Sequence, residues 1–210
     1  MKKNFKVLSM SFLLAIALLI GSNNINAATK TFTYKGCSIT FNYSAVNAFS
    51  GKTAYNTILS LNVVRTTKDS KQAKSCSFSN GNVELVQSIT GTTGYFDQTS
   101  PVFKGVKKPG FRMIIGHNTV YSGISKKLPS VPAPATYKKN AKTYFLTVIN
   151  ADLTKTTTTQ VGLKSHVVKG KAGIGGKAEF KFPVQITSFD GKKSSTKVVY
   201  FAWSGSTVMK

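Results

Sequence analysis

Polar and apolar residues alternate singly along much of this 210-residue chain, and no long segment repeats at helical spacing. A period of two predicts strands with one buried and one solvated face. In CSITFNY, residues 37–43, Cys37, Ile39, Phe41 and Tyr43 share a face while Ser38, Thr40 and Asn42 take the other. Cys37 is therefore expected to point into a core. Residues 56–67 (NTILSLNVVRTT), 82–89 (NVELVQSI), 111–115 (FRMII) and 143–149 (TYFLTVI) read as further strands, rich in β-branched and aromatic residues. Residues 144–149 are apolar on both faces, which predicts a central strand. A short helix is expected within residues 44–54.

The clearest pattern lies near the C-terminus. In AEFKFPVQITSF, residues 178–189, Ala178, Phe180, Phe182, Val184 and Ile186 share one face. Asp190-Gly191 follows as a tight-turn pair, predicting a two-residue type I′ hairpin. That turn would set Phe182 against Val199, Phe180 against Phe201 and Ala178 against Trp203, with Lys197 facing Val184. Pro183 requires its missing N–H to lie on an unpaired side or at a bulge. About eight to ten short strands punctuated by Gly, Pro, Asn and Ser predict an all-β fold, a single-domain antiparallel β-sandwich with a β-barrel as the alternative. No repeat of solenoid length is present. The Pro-rich segment KKLPSVPAPATYKKNAK at residues 126–142 reads as a long surface loop rather than an interdomain linker, because strand-rich chain of the same kind flanks it.

The start of the chain follows a different pattern. A basic hexapeptide, MKKNFK, precedes the apolar run VLSMSFLLAIALLIG and the polar segment SNNINA. This is the pattern of a secretory signal peptide, residues 1–27, with cleavage expected after Ala27. The domain would then occupy residues 28–210, secreted to an extracellular or periplasmic space, and a bacterial source is expected. In such a compartment Cys37 and Cys76, the two cysteines of the chain, are expected to form a disulfide.

Charge narrows the partners. The chain has 29 Lys and Arg against 6 Asp and Glu; loss of Lys2, Lys3 and Lys6 with the leader leaves 26 against 6, a net charge of about +20. Nearly all of this is lysine, Arg65 and Arg112 being the exceptions. Arginine suits planar bidentate recognition, whereas lysine acts as a solvated point charge, so diffuse attraction to anionic surfaces is favoured over a shaped phosphate pocket. Charge that only keeps an exported protein soluble is the simpler alternative. The expected anion-binding residues are Lys107, Lys108, Lys126, Lys127, Lys138, Lys139, Lys142, Lys164, Lys169, Lys171 and Lys177, in basic loops near 126–142 and 164–177; Lys192-Lys193 is a further pair.

The glycine-rich stretch VKGKAGIGGKAEFKF, residues 168–182, resembles a phosphate cradle only superficially. Aligned on Gly176-Lys177, a Walker loop would need glycine at 171 and Ser or Thr at 178, where this chain has Lys171 and Ala178. A flexible lysine-bearing hairpin tip is the expectation. No catalytic motif is found. Asp69, Glu84, Asp97, Asp152, Glu179 and Asp190 are scattered, His117 and His166 are the two histidines, and no Gly-x-Ser-x-Gly elbow occurs. No metal site or cofactor is expected, nor sequence-specific DNA recognition. Tyr137 beside Lys138-Lys139, and Tyr144, could stack on sugar or base rings, although strand and core roles are commoner for such residues. The sequon Asn42-Tyr43-Ser44 lies within a predicted strand, where glycosylation is disfavoured. The pattern therefore predicts a secreted, non-enzymatic binding protein that associates electrostatically with acidic lipid headgroups, glycans or nucleic acid. A structural or host-directed protein-interaction module is the second reading, and a hydrolase the third.

Overall fold

A computed structural model describes residues 26–67, 72–90, 95–106, 109–115, 118–123, 142–155, 158–168 and 172–210. The expected leader lies outside the described residues, apart from Asn26 and Ala27 at the start of the first strand. Twelve strands are described: β1 (Asn26–Tyr34), β2 (Cys37–Ser50), β3 (Ala54–Thr67), β4 (Ser75–Asn80), β5 (Val83–Thr90), β6 (Tyr95–Lys104), β7 (Gly110–Ile115), β8 (Asn118–Gly123), β9 (Lys142–Asn150), β10 (Thr158–Val168), β11 (Gly175–Phe189) and β12 (Ser194–Val208). One sheet runs β1-β2-β3-β10-β6; the other runs β12-β11-β5-β9-β7-β8, with β4 also on β11. All the pairings are antiparallel. The two sheets pack face to face as the expected sandwich.

The alternation read from the sequence sets the faces. Phe41 of the first sheet meets Phe182 at 5.8 Å and Phe201 at 5.5 Å, both edge-on, while Phe182 and Phe201 stack at 4.8 Å. These rings, Ile39, Leu59, Leu61, Leu85, Phe145 and Phe180 are almost fully buried. Nearer the β2–β3 turn the interior becomes polar. Gln87 Nε2 donates to Thr57 Oγ1 across the sheets at 2.8 Å, and Ser165 Oγ donates to Gln87 Oε1 at 3.3 Å. Burial there raises the Tyr55 hydroxyl above the usual phenol range.

Three expectations are corrected. Residues 44–50 are not helical; they complete β2, where the stretch from Ser44 to Phe49 is buried throughout. A strand covered on both faces loses its alternation, and with it the pattern that would identify it as a strand. The terminal hairpin is shifted by two from the expected register: Phe182 pairs with Phe201, Phe180 with Trp203, Ala178 with Gly205 and Lys197 with Ile186. Phe189 pairs with Ser194, so the loop is four residues long, and of these Gly191 alone has positive φ, at 101°. Type I′ geometry would need two such residues. Asp190 imposes the longer loop, its Oδ1 accepting from Lys192 N at 2.8 Å and Lys193 N at 2.9 Å. A slip of two keeps every side chain on its expected face. Third, the 168–182 stretch is no hairpin tip, because β10 and β11 belong to different sheets. Gly173 N donates to Met209 O and Met209 N to Ile174 O, both at 2.8 Å, tying the end of this link to the C-terminal strand.

Pro183 lies where its partner strand changes. β11 pairs with β4 through Val184 and with β5 through Lys181, and Pro183 O accepts from Gly81 N at 3.1 Å in the gap. Its absent N–H faces the bend between β4 and β5, where a ladder would not use it. Gly162 has a different constraint. A Cβ there would lie 2.1 Å from Thr57 O and 2.8 Å from Ile58 Cα, both backbone atoms. No rotamer relieves such a clash, so Gly162→Ala is expected to lower stability by about 1–3 kcal/mol. A fall in the urea midpoint at unchanged slope would show it.

Candidate anion-binding end

Eight of the lysines singled out from sequence, Lys107, Lys108, Lys126, Lys127, Lys138, Lys139, Lys169 and Lys171, lie outside the described residues. Lys142 is the first residue of β9 and pairs with Thr90. Lys164 and Lys177 are exposed but belong to strands rather than to a loop. The expected 164–177 loop thus narrows to the link between Val168 and Gly175. Lys164 alternates with buried Leu163 and Ser165, and Lys177 with buried Gly176 and Ala178. They therefore stand on opposite outer faces of the sandwich, and the structure does not bring them together. Lys177 is also neutralised by Glu179 at 2.6 Å.

A denser basic group forms at the opposite end, around Cys37–Cys76. The disulfide joins β2 of one sheet to β4 of the other, with Cα atoms 5.6 Å apart, as expected from sequence. Cys37 follows the Lys35-Gly36 turn, and Cys76 lies opposite Ser188, one residue before the end of β11. The bridge thus draws the β1–β2 turn, the approach to β4 and the β11–β12 turn into one place. Each brings lysine: Lys35, Lys74 and Lys192-Lys193, all exposed.

Local contacts hold these segments. Buried Ser188 donates to Lys35 O at 2.8 Å, with Gln72 O 3.5 Å away. Lys74 N donates to Phe189 O at 2.7 Å. A Cβ on Gly191 would come within 2.8 Å of Lys74 Cδ, Cε and Nζ, so the lysine stem lies along the turn. Glycine at 191 supplies both the positive φ and this room. Lys35 Nζ sits 5.5 Å from the Tyr34 ring centroid.

Asp190, the acidic residue within this end, offsets little of the charge available to a ligand, because its carboxylate faces inward onto the turn. The backbone amides of Lys193 and then Lys192 hold its carboxyl below the ordinary carboxylate range. Since the folded pKa is depressed, this contribution to the turn is present above the unfolded pKa and fades as pH falls through the folded one. Lys192-Lys193 is visible as a pair in the sequence, whereas Lys35 and Lys74 are distant in the chain and join it through the disulfide.

Catalytic chemistry finds little support in the geometry. Among the described residues, no group of three or more His, Cys, Asp or Glu could hold a metal ion. Asp152 is bonded to Lys155 at 3.1 Å and accepts from Thr154 N and Lys155 N. Burial pushes its carboxyl up, but the Lys155 and Thr154 bonds outweigh this and leave it below the usual range. His166 is exposed on the same face of β10 as Lys164, and His117 lies outside the described residues.

No protein-family model and no curated protein matches this chain. Solved structures with some similarity include Clostridium perfringens delta-toxin, 10% identical, with 87% of this chain and 88% of that chain covered at a TM-score of 0.24. A pore forming protein is 10% identical, covering 89% of this chain and 94% of its own at a TM-score of 0.21. At these TM-scores neither protein's activity transfers to this chain.

Proposed function

We propose that this is an exported, non-enzymatic binding protein that associates with anionic surfaces through lysines displayed at the ends of a β-sandwich. The observation that carries the reading is the disulfide-closed end, where Lys35, Lys74, Lys192 and Lys193 are exposed together and the local carboxylate is occupied by backbone amides. Four like charges held this closely repel one another, and an anion relieves that repulsion while releasing its own counterions. The cystine and the absence of any described helix long and apolar enough to cross a membrane are compatible with an extracellular location.

Retention on heparin and on duplex DNA across a salt series tests this. The protein is expected to bind at low salt and to elute progressively as salt rises. A variant with Lys35, Lys74, Lys192 and Lys193 all changed to Gln is expected to reduce the DNA log–log salt slope by about 3, close to one for each phosphate that is no longer neutralised. A second variant, with Lys107, Lys108, Lys126 and Lys127 changed to Gln, asks whether those lysines contribute as well. No retention on either polyanion at low salt would refute the reading.

A further inference from the structure

The outer flank of the β11–β12 hairpin combines exposed apolar and cationic groups. Val198 is 50% exposed and Tyr200 56%, two of the most exposed large apolar residues among those described. They lie two apart on the solvent face of β12 with Ala202 following, and Pro183 stands opposite Tyr200 on β11. Lys181 Nζ lies 5.2 Å from the Tyr200 ring centroid. At the same edge, Lys30 Nζ donates to Ala202 O at 3.4 Å and sits 5.6 Å from the Phe201 ring centroid.

We propose that this flank is a docking surface for a bilayer containing anionic phospholipid, with Val198 and Tyr200 entering the headgroup region and Lys181 and Lys30 facing phosphate. The inference rests on the anionic-surface reading and names the surface. Heparin and DNA could satisfy the lysines, but neither offers an apolar phase for a valine and a tyrosine on the same face. A bilayer interface offers both, and tyrosine, apolar in body and polar at its tip, suits that depth. The edge contact disfavours a strand-adding protein partner. Strand addition requires free carbonyls along β12, and the Lys30 ammonium occupies one of them at the middle of the strand, a charge placed where it blunts edge pairing.

Two measurements on the exported protein separate this inference from the broader one: heparin elution, and co-sedimentation with phosphatidylcholine vesicles with or without phosphatidylserine. Low salt should give binding to heparin and to the acidic vesicles. High salt should empty the heparin column yet leave a vesicle-bound fraction, because apolar burial is not screened. Changing Val198→Ser and Tyr200→Ser together should remove that fraction, weakening vesicle partition about tenfold while heparin elution and the thermal midpoint stay unchanged. If heparin binding persists but salt releases the protein from vesicles and heparin alike, or if the double variant sediments as the parent does, the bilayer assignment is wrong and the charge reading stands. Loss of all low-salt binding would remove both.

Discussion

Changing Cys37 and Cys76 to serine is expected to destabilise the domain by about 4 kcal/mol. The bridge spans 39 residues of chain, and restoring that loop's freedom to the unfolded state accounts for an effect of this size. For a domain of this length the thermal midpoint should fall by about 8–16 °C, read by calorimetry or circular dichroism. A second readout ties the bond to the proposed function. Cys76 anchors the segment that lays Lys74 along the β11–β12 turn, so at a temperature where the variant is still folded its heparin elution should move to lower salt. Unchanged stability would mean that the sheets are held without the bridge; unchanged elution would mean that Lys74 and Lys35 are placed by Ser188 and the strand ladders alone.

Phe182→Ala is expected to cost about 3–5 kcal/mol. The ring is fully buried, stacks on Phe201 at 4.8 Å and meets Phe41 of the opposite sheet at 5.8 Å. Truncation removes transferred apolar surface and opens a void between two sheets whose strands cannot close on it without breaking ladders. Against the roughly 5–15 kcal/mol that domains ordinarily retain, this leaves a marginal protein. Urea unfolding at constant slope would give the value. Tyr200→Ala, on the solvent face of the neighbouring strand, should change stability by no more than about 0.5 kcal/mol. A small loss at Phe182 would contradict the packing across this aromatic cluster.

Much of the architecture is legible from residue order alone, because a strand with one face buried must alternate. That period assigns Ile39, Phe41, Phe180, Phe182 and Val184 to the core, and the pairing of Cys37 with Cys76 follows from compartment and cysteine count. Where burial departs from one face, the pattern is lost. The segment from Ser44 to Phe49 is covered on both sides, so its residue order suggests a helix where the fold has a strand. The β11–β12 register differs by two from the one a tight turn would set, because Asp190 uses its carboxylate to lengthen the turn.

The basic end shows a different limit. Lysine pairs can be counted in a sequence, but whether their fields add depends on distance, and Lys35, Lys74 and Lys192 are separated by long stretches of chain. Lys164 and Lys177, close in sequence, end on opposite faces because the link between them crosses from one sheet to the other. By itself the sequence determined an all-β, disulfide-bridged and strongly basic chain, since alternation, cysteine count and charge are properties of residue order. Only the tertiary structure decided which lysines stand together, because Coulomb interactions depend on separation in space, which is set by strand pairing and the cross-sheet disulfide.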